Sequence, residues 1–248
     1  MPKLAKLTLS SINESDLSQM TAVIPFASLE PVGHELPLGI FQVITESLAD
    51  SIAELSTCVV LPQITIPYAT PFQGFRGVVS VRRNVFMNLL ADAALSVSAM
   101  GFGRVLFLDG TCYAKASVDE SMKKFKRSLP EQFSYGIISW QSDSSLKQIF
   151  SDSINLKERW RSEAAAVQIY SELTGVSVPV SLKLNKNISD KLFESWRKRN
   201  RDPEILRKYF PEAHLSSWDS LVVKEPILPK LTKSICETIE KGYIFHGI

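Results

Sequence analysis

Apolar and polar positions alternate along this chain in a way that favours strands followed by helices. Short runs rich in β-branched residues occupy 21–29 and 58–66, which predicts two buried strands. Between them, the apolar residues of 41–55 recur at helical spacing. These residues are Val43, Ile44, Leu48, Ile52 and Leu55. The first third of the chain is therefore predicted to form a strand–helix–strand unit.

The same pattern continues in the middle of the chain. Residues 83–100 predict a second amphipathic helix that stops at Gly101. An almost wholly apolar strand at 104–110 follows, and such a strand must be covered on both faces. Residues 135–140 predict another buried strand, and a further helix ends at Thr174-Gly175.

This alternation predicts an α/β protein with a three-layer α/β/α fold and a mostly parallel central sheet. Ligands of such sheets bind beyond the carboxyl ends of the strands. Glu30 and Asp109 both fall at predicted strand ends, which makes them candidate site residues.

The C-terminal third has a less regular pattern. Asp202-Pro203 predicts a helix start, because an N-cap residue is followed by proline in the first turn. Residues 229–243 predict a closing helix. Neither a repeat nor a linker interrupts the sequence, so we expect a single domain over residues 1–248.

Composition and charge narrow the class of protein. A chain of 248 residues with 45% hydrophobic and 22% charged residues can bury a core without disulfides. Lys and Arg number 28 against 26 Asp and Glu, so the net charge of +2 gives no overall attraction to nucleic acid or anionic membranes. No signal-peptide core or run of 18 apolar residues occurs, which predicts a cytoplasmic protein without a membrane segment.

The stretch "IPFASLEPVGHELPLGI", Ile24 to Ile40, places Glu30, His34 and Glu35 just after the first predicted strand. It resembles the creatininase (creatinine amidohydrolase) family, in which a strand ends in P-x-G-S-x-E-Q-H-G-P-H-L-P-x-x-x-D. The residues that carry the resemblance are Pro25, Ser28, Glu30, Gly33, Leu36, Pro37, Leu38 and Gly39.

Two further blocks are similar to the same family, and the resemblance covers about residues 20–175. The family's glycine-rich loop, long helix and strand ending in N-G-H are similar to residues 74–111, most closely in "MGFGRVLFLDG". A family block H-A-G-x-x-E-T-S corresponds to "ERWRSEAA", with Glu163 at the family's glutamate and Glu158 at its histidine. The resemblance implies a creatininase-like fold and assembly as a homo-oligomer.

The family's chemistry, as the resemblance implies it, is hydrolysis of a cyclic or linear amide by water activated between two divalent metals. Glu30 stands at the family's first ligand. The following histidine is replaced by Val32, the closing aspartate by Phe41, and the histidine of N-G-H by Thr111. Of three histidines, His214 and His246 lie outside the matching blocks. The resemblance therefore implies a family scaffold whose dimetal centre is degraded.

Two functions remain open at this point. The first is a binding or assembly protein that holds no cofactor and takes a small-molecule ligand at the former site. The second is an amidohydrolase with a rearranged site built from Glu30, His34 or Glu35, and Asp109, in which Glu30 and Asp109 hold a single zinc or manganese ion. The candidate catalytic residues are Glu30, His34, Glu35, Asp109 and Glu163.

Each candidate also has a purely structural interpretation. Glu30 as a carboxylate that caps backbone amides at a strand end is favoured over Glu30 as a metal ligand, and His34 as a loop histidine bonded to backbone is favoured over a base. Cys112 is favoured as a small thiol over a nucleophile, because no histidine lies nearby in sequence. Asp109 precedes Gly110, and Asp-Gly is also an ordinary turn signal.

Two basic runs, 122–127 and 196–208, raise a third function, binding of phosphate or nucleic acid. Acidic residues in the second run and the near-zero net charge favour solvated helix faces instead. We therefore do not expect nucleic acid as a partner.

Overall fold

The computed structural model describes residues 3–30, 37–69, 77–111, 113–153, 158–175, 226–242 and 244–247. Within these ranges five strands form one sheet in the order β2–β1–β3–β4–β5. The strands are β1 (Thr21–Phe26), β2 (Cys58–Val60), β3 (Arg104–Asp109), β4 (Ser134–Ser139) and β5 (His246–Gly247). The pairs among β1 to β4 are parallel and β5 is antiparallel to β4, which confirms the mostly parallel sheet.

Helices follow the strands as the sequence pattern predicts. The α-helices of the described ranges are α1 (Leu9–Asn13), α2 (Ile40–Leu55), α3 (Arg83–Ala99), α4 (Lys115–Phe125), α5 (Ser144–Ser153), α6 (Glu158–Thr174) and α7 (Ile227–Lys241). Short 3-10 turns lie at Leu4–Lys6, Leu17–Gln19 and Lys126–Ser128. None of the helices in the described part of the chain is long and apolar enough to cross a membrane.

Two element boundaries differ from the sequence prediction in an informative way. The predicted strand 58–66 is shortened to β2, because Pro62 has no amide hydrogen to continue the ladder, and only an isolated bridge from Phe26 to Ile64 follows it. The predicted closing helix 229–243 begins two residues earlier and ends before Gly242, whose φ of 70° is typical of a helix C-terminus. The predicted helix start at Asp202-Pro203 lies outside the described residues.

The sheet carries a hydrophobic core on each face, which makes three layers. On one face, Val23, Leu106 and Leu108 pack with buried residues of α2, α5, α6 and α7. On the other face, Ile24 and Phe107 pack with buried residues of α3 and α4. Because neighbouring residues of one strand point to opposite faces, the apolar strands β1 and β3 serve both cores.

The buried stripe of α2 does not include every apolar residue that recurs at helical spacing. It follows Ile40, Ile44, Leu48 and Ile52, each four residues from the next. Val43 lies beside this stripe and Leu55 is the last residue of the helix, and their exposed fractions are 39% and 63%. The predicted helix is thus confirmed, while its buried face is narrower than the repeat.

The strand order reverses between β1 and β3, because the chain passes from β1 to β2 on one side and returns to β3 on the other. Crevices at such reversals are the usual ligand sites of parallel α/β sheets. The register aligns Phe26 with Asp109, and Asp109 with Ser139. The carboxyl ends of β1, β3 and β4 therefore lie level with one another, and Asp109 occupies the middle.

Gly110, directly after β3, sits where a larger residue would not fit. Its amide donates to the carbonyl oxygen of Phe26 at 2.9 Å, which draws the turn onto β1. An added Cβ would overlap Thr45 Oγ1 and come within 2.8 Å of Ala27 Cβ. The close approach of the turn to α2 and β1 therefore requires glycine at this position.

We expect Gly110→Ala to lower the free energy of unfolding by about 1–3 kcal/mol, because a methyl group there forces a shift in packed neighbours. Urea denaturation at equilibrium measures the change. Gly247→Ala is the matched control, since nothing lies within 4 Å of its added Cβ. Equal stability of the two variants would contradict the close packing at Gly110.

Candidate functional site

Asp109 is the last residue of β3 and has no exposed surface. Its Oδ1 accepts hydrogen bonds from the backbone amide of Thr111 and from Thr111 Oγ1, each at 2.6 Å. Its Oδ2 accepts a hydrogen bond from Ser139 Oγ on β4 at 2.5 Å. Asp109 thus links two strand ends to the turn that follows β3.

Burial dominates the electrostatics of this carboxyl group. Desolvation raises the pKa of Asp109 above its ordinary value, while the hydrogen bonds from Ser139, Thr111 and Ala114 act in the opposite direction. The upward direction means that the donors offset only part of the cost of removing the charge from water. Asp109 is therefore held by hydrogen bonds at a net electrostatic cost.

Glu30 follows β1 and is 4% exposed. Its Oε1 accepts a hydrogen bond from Ser28 Oγ and another from the Tyr113 hydroxyl at 2.8 Å. The Ser28 and Tyr113 hydroxyl oxygens are themselves 2.9 Å apart, so the three oxygens form a triangle. The backbone amide of Glu30 donates to the carbonyl oxygen of Leu38 at 3.0 Å. Tyr113 reaches this cluster from the turn between β3 and α4.

Phe41 stands where the family motif ends in aspartate, and its surroundings are apolar. Phe41 is buried in α2 and packs against Trp140, with ring centroids 6.0 Å apart and planes tilted by 59°. The Trp140 indole nitrogen donates to Thr45 Oγ1 at 3.0 Å. Both indole and phenyl rings belong to the core that α2 builds on the sheet.

The structure places the predicted site residues in three different situations. Glu30 and Asp109 both lie at the carboxyl edge of the sheet, and each bonds to a residue of the 110–114 turn. Glu163 belongs to the first half of α6, with its side chain outside the described part. His34, Glu35 and Cys112 lie outside the described residues altogether.

Sequence reasoning missed Tyr113, Ser139 and Gln141. Ser139 lies at the carboxyl end of a strand that was predicted, so the strand-end rule could have found it. Gln141 Nε2 donates to the carbonyl oxygen of Gly110 at 2.5 Å. No signal in the sequence marks Tyr113, because its contact with Glu30 joins residues 83 positions apart.

A two-metal centre does not fit the described residues. No group of three or more His, Cys, Asp or Glu side chains within them is arranged to hold a metal ion. Both carboxylates accept hydrogen bonds from hydroxyl groups, and the hydroxyls of Ser28, Thr111 and Ser139 point their hydrogens at carboxylate oxygens. Two cations need several anionic or imidazole ligands with lone pairs directed at them, which this donor set does not supply.

Comparison with known proteins gives the family. The family model for creatininase, described as creatinine amidohydrolase, matches residues 5–168, about two thirds of the chain. This chain belongs to the creatininase family. The match includes β1 to β4 and both carboxylates, and it confirms the resemblance found in the sequence. No curated protein sequence matches the chain.

Solved creatininase structures share this fold over nearly the whole length. A mutant creatininase of type II is 15% identical, with a TM-score of 0.67 over 97% of this chain and 98% of its own. A mutant creatininase complexed with creatine is 13% identical, with a TM-score of 0.67 over 97% and 98% of the two chains. A structure described as "Creatininase Mn" is 13% identical, with a TM-score of 0.66 over the same shares. At these identities the comparison supports the fold.

The raised pKa of Asp109 has a consequence for stability. A carboxyl group whose pKa is higher in the folded state contributes most to stability below its ordinary value of 3.8, and this contribution is lost as pH rises through the folded pKa. As pH rises from 3.8 through the folded pKa, we expect the free energy of unfolding of Asp109→Asn, whose side chain does not titrate, to increase relative to that of the parent protein. The difference should grow by up to about 1.4 kcal/mol per pH unit.

Urea unfolding of both proteins across a series of pH values measures this difference. Asp119→Asn is the control for loss of a carboxylate, because Asp119 is a partly exposed aspartate of α4. If the free energy of unfolding changes with pH in the same way in the parent and in Asp109→Asn, the hydrogen bonds to Asp109 fully offset the desolvation of its carboxylate.

Proposed function

We propose that this creatininase-family protein carries a degraded dimetal centre and acts by binding a small-molecule ligand or a protein partner at the carboxyl edge of its sheet. The observation that carries the proposal is the engagement of Glu30 and Asp109 by hydroxyl groups of the protein itself. A lone pair that accepts a hydrogen bond is not available to a cation. The two carboxylates thus serve as hydrogen-bond acceptors in a polar network.

The side chains at the family's ligand positions support the same proposal. Thr111, at the position of the family's N-G-H histidine, is fully buried and donates its hydroxyl to Asp109. Phe41, at the position of the closing aspartate, is 3% exposed and packs on Trp140. Threonine and phenylalanine thus stand where the family motif has histidine and aspartate. Thr111 has Asp109 as its partner, and Phe41 has Trp140.

The strand order of the sheet is consistent with binding of a ligand without the family's metal chemistry. The relatives include a creatininase complexed with creatine, and others described by manganese or by a zinc pair. This chain keeps the strand order reversal that creates a crevice in such sheets. A ligand could therefore occupy this edge without metal. Assembly as a homo-oligomer stays a prediction from the family resemblance.

The second candidate is a metal-dependent amidohydrolase with a rearranged site. The buried position of Glu30 at the reversal of strand order favours it, since a carboxylate there is well placed to act on a bound molecule. A single zinc or manganese ion would be held by Glu30 and Asp109. Because both hydroxyl donors to Glu30 bond to Oε1, such an ion would be held through its other carboxylate oxygen or would displace these donors.

Metal content per chain separates the two candidates. We expect only trace zinc and manganese in protein purified without an affinity tag or chelator, after both metals have been added back and excess removed. Elemental mass spectrometry gives the molar ratio. Glu30→Gln should keep the melting temperature near the parent value, because an amide oxygen can still accept from Ser28 and Tyr113.

Near-stoichiometric metal that disappears in Glu30→Gln would reject the degraded centre and establish the rearranged metal site. The matched control is Glu46→Gln, which removes a glutamate on α2 that interacts with Lys3 at the surface.

Restoring a ligand at position 41 should fail for reasons of packing. We expect Phe41→Asp to cost about 3–5 kcal/mol in the free energy of unfolding, because it deletes a buried ring and introduces a carboxylate beside Trp140. Phe41→Leu keeps an apolar side chain and should cost less. Unfolding in urea with and without zinc measures both. A stable Phe41→Asp protein that gains stability with zinc would contradict the proposal.

A further inference from the structure

The turn between β3 and α4 is held at points on both sides of Tyr113. Before Tyr113, the amide and hydroxyl of Thr111 donate to Asp109 Oδ1, each at 2.6 Å. After it, the carbonyl oxygen of Ala114 accepts hydrogen bonds from the amides of Ser117 and Val118 in α4, at 2.8 and 3.0 Å. At the start of the turn, Gln141 Nε2 donates to the carbonyl oxygen of Gly110 at 2.5 Å. Asp109 thus holds the turn on the side before Tyr113, and the first turn of α4 holds it on the side after Tyr113.

Tyr113 in turn connects the turn after β3 to the residues that follow β1. Its hydroxyl donates to Glu30 Oε1 at 2.8 Å and lies 2.9 Å from Ser28 Oγ, both on the chain that follows β1. Ser28 and Glu30 are buried, whereas Tyr113 is only partly buried. Tyr113 is therefore the member of the three-oxygen cluster with the most contact with solvent.

We infer that Asp109 is a positioning residue, which holds the 110–114 turn so that the Tyr113 hydroxyl meets Glu30. Asp109 bonds to Thr111, two residues before Tyr113, so it acts on the Glu30 cluster through the backbone that carries Tyr113. The inference rests on the proposed function only in taking the Glu30 cluster as part of the binding site. It gives a role to a fully buried carboxylate whose burial carries an electrostatic cost.

A purely structural role for Asp109 is the alternative, because its bond to Ser139 also ties β3 to β4. Loss of that bond would lower stability without moving Tyr113. A melting temperature therefore cannot separate the two roles. The measurement has to report on the phenol ring of Tyr113 in the folded protein.

Fluorine NMR of the full chain labelled with 3-fluorotyrosine provides that report. Tyr113→Phe assigns the Tyr113 resonance by its disappearance, and spectra are recorded well below the unfolding transition. We expect Asp109→Ala to shift this resonance, since it removes the acceptor for both the amide and the hydroxyl of Thr111. Asp109→Asn should return it close to the parent position, because the amide oxygen can accept both bonds from Thr111.

The matched control is Ser121→Ala. Ser121 Oγ donates to the carbonyl oxygen of Met87 at 2.5 Å, so the variant also loses a buried hydrogen bond of α4 but leaves the turn intact. Its Tyr113 resonance should stay at the parent position. If Asp109→Ala does not fold, Thr111→Val replaces it, because this change removes one donor and keeps the shape of the side chain. A smaller shift in the same resonance is then expected.

An unmoved Tyr113 resonance in Asp109→Ala, or in Thr111→Val where the former does not fold, would overturn the inference. Glu30→Gln shows whether the probe is sensitive, because it changes the direct partner of the hydroxyl. These outcomes do not depend on metal content. Metal bound at the site would reject the proposed function while the NMR result still decided the role of Asp109.

Discussion

A buried carboxyl group has to be compensated, and much of the sheet's carboxyl edge is arranged around that requirement at Asp109. The group has no exposure to water, and donors come to it from the following turn and from β4. The donors belong to two separate parts of the chain, Thr111 and Ser139, so compensation of one charge fixes the position of the turn relative to β4. Burial and hydrogen bonding are opposing contributions here, and the upward direction of the pKa indicates that burial is the larger.

The sequence was sufficient for the elements whose signal is local. The helical repeat located α2 and α3 to within one residue at each end, and the apolar strand at β3 correctly implied helices on both faces. The rule for strand ends placed Glu30 and Asp109 at one edge of the sheet. Val43 and Leu55 fit the helical repeat of α2 and are nevertheless exposed, because apolar residues can share the repeat and still lie beside the buried stripe.

The partners of the two carboxylates could not be predicted. Glu30 meets Tyr113 across 83 residues, and Asp109 meets Ser139 across 30. Hydroxyl groups of serine, threonine and tyrosine are common, and nothing in their spacing tells which of them will turn toward a carboxylate. The sequence therefore identified which groups carry charge, while the folded chain decided whether those charges face a ligand or the protein's own donors.

The hydrogen bond from the Glu30 amide to the Leu38 carbonyl has a wider consequence. It closes a segment of the family motif at its base, next to β1 on one side and α2 on the other. A hydrogen bond between two backbone groups does not depend on which side chains the two residues carry, so this link between the sheet and the chain that leads into α2 survives changes of side chain. The same bond sets where the main chain of Glu30 leaves the sheet, and with it the starting point of the carboxylate that meets Ser28 and Tyr113.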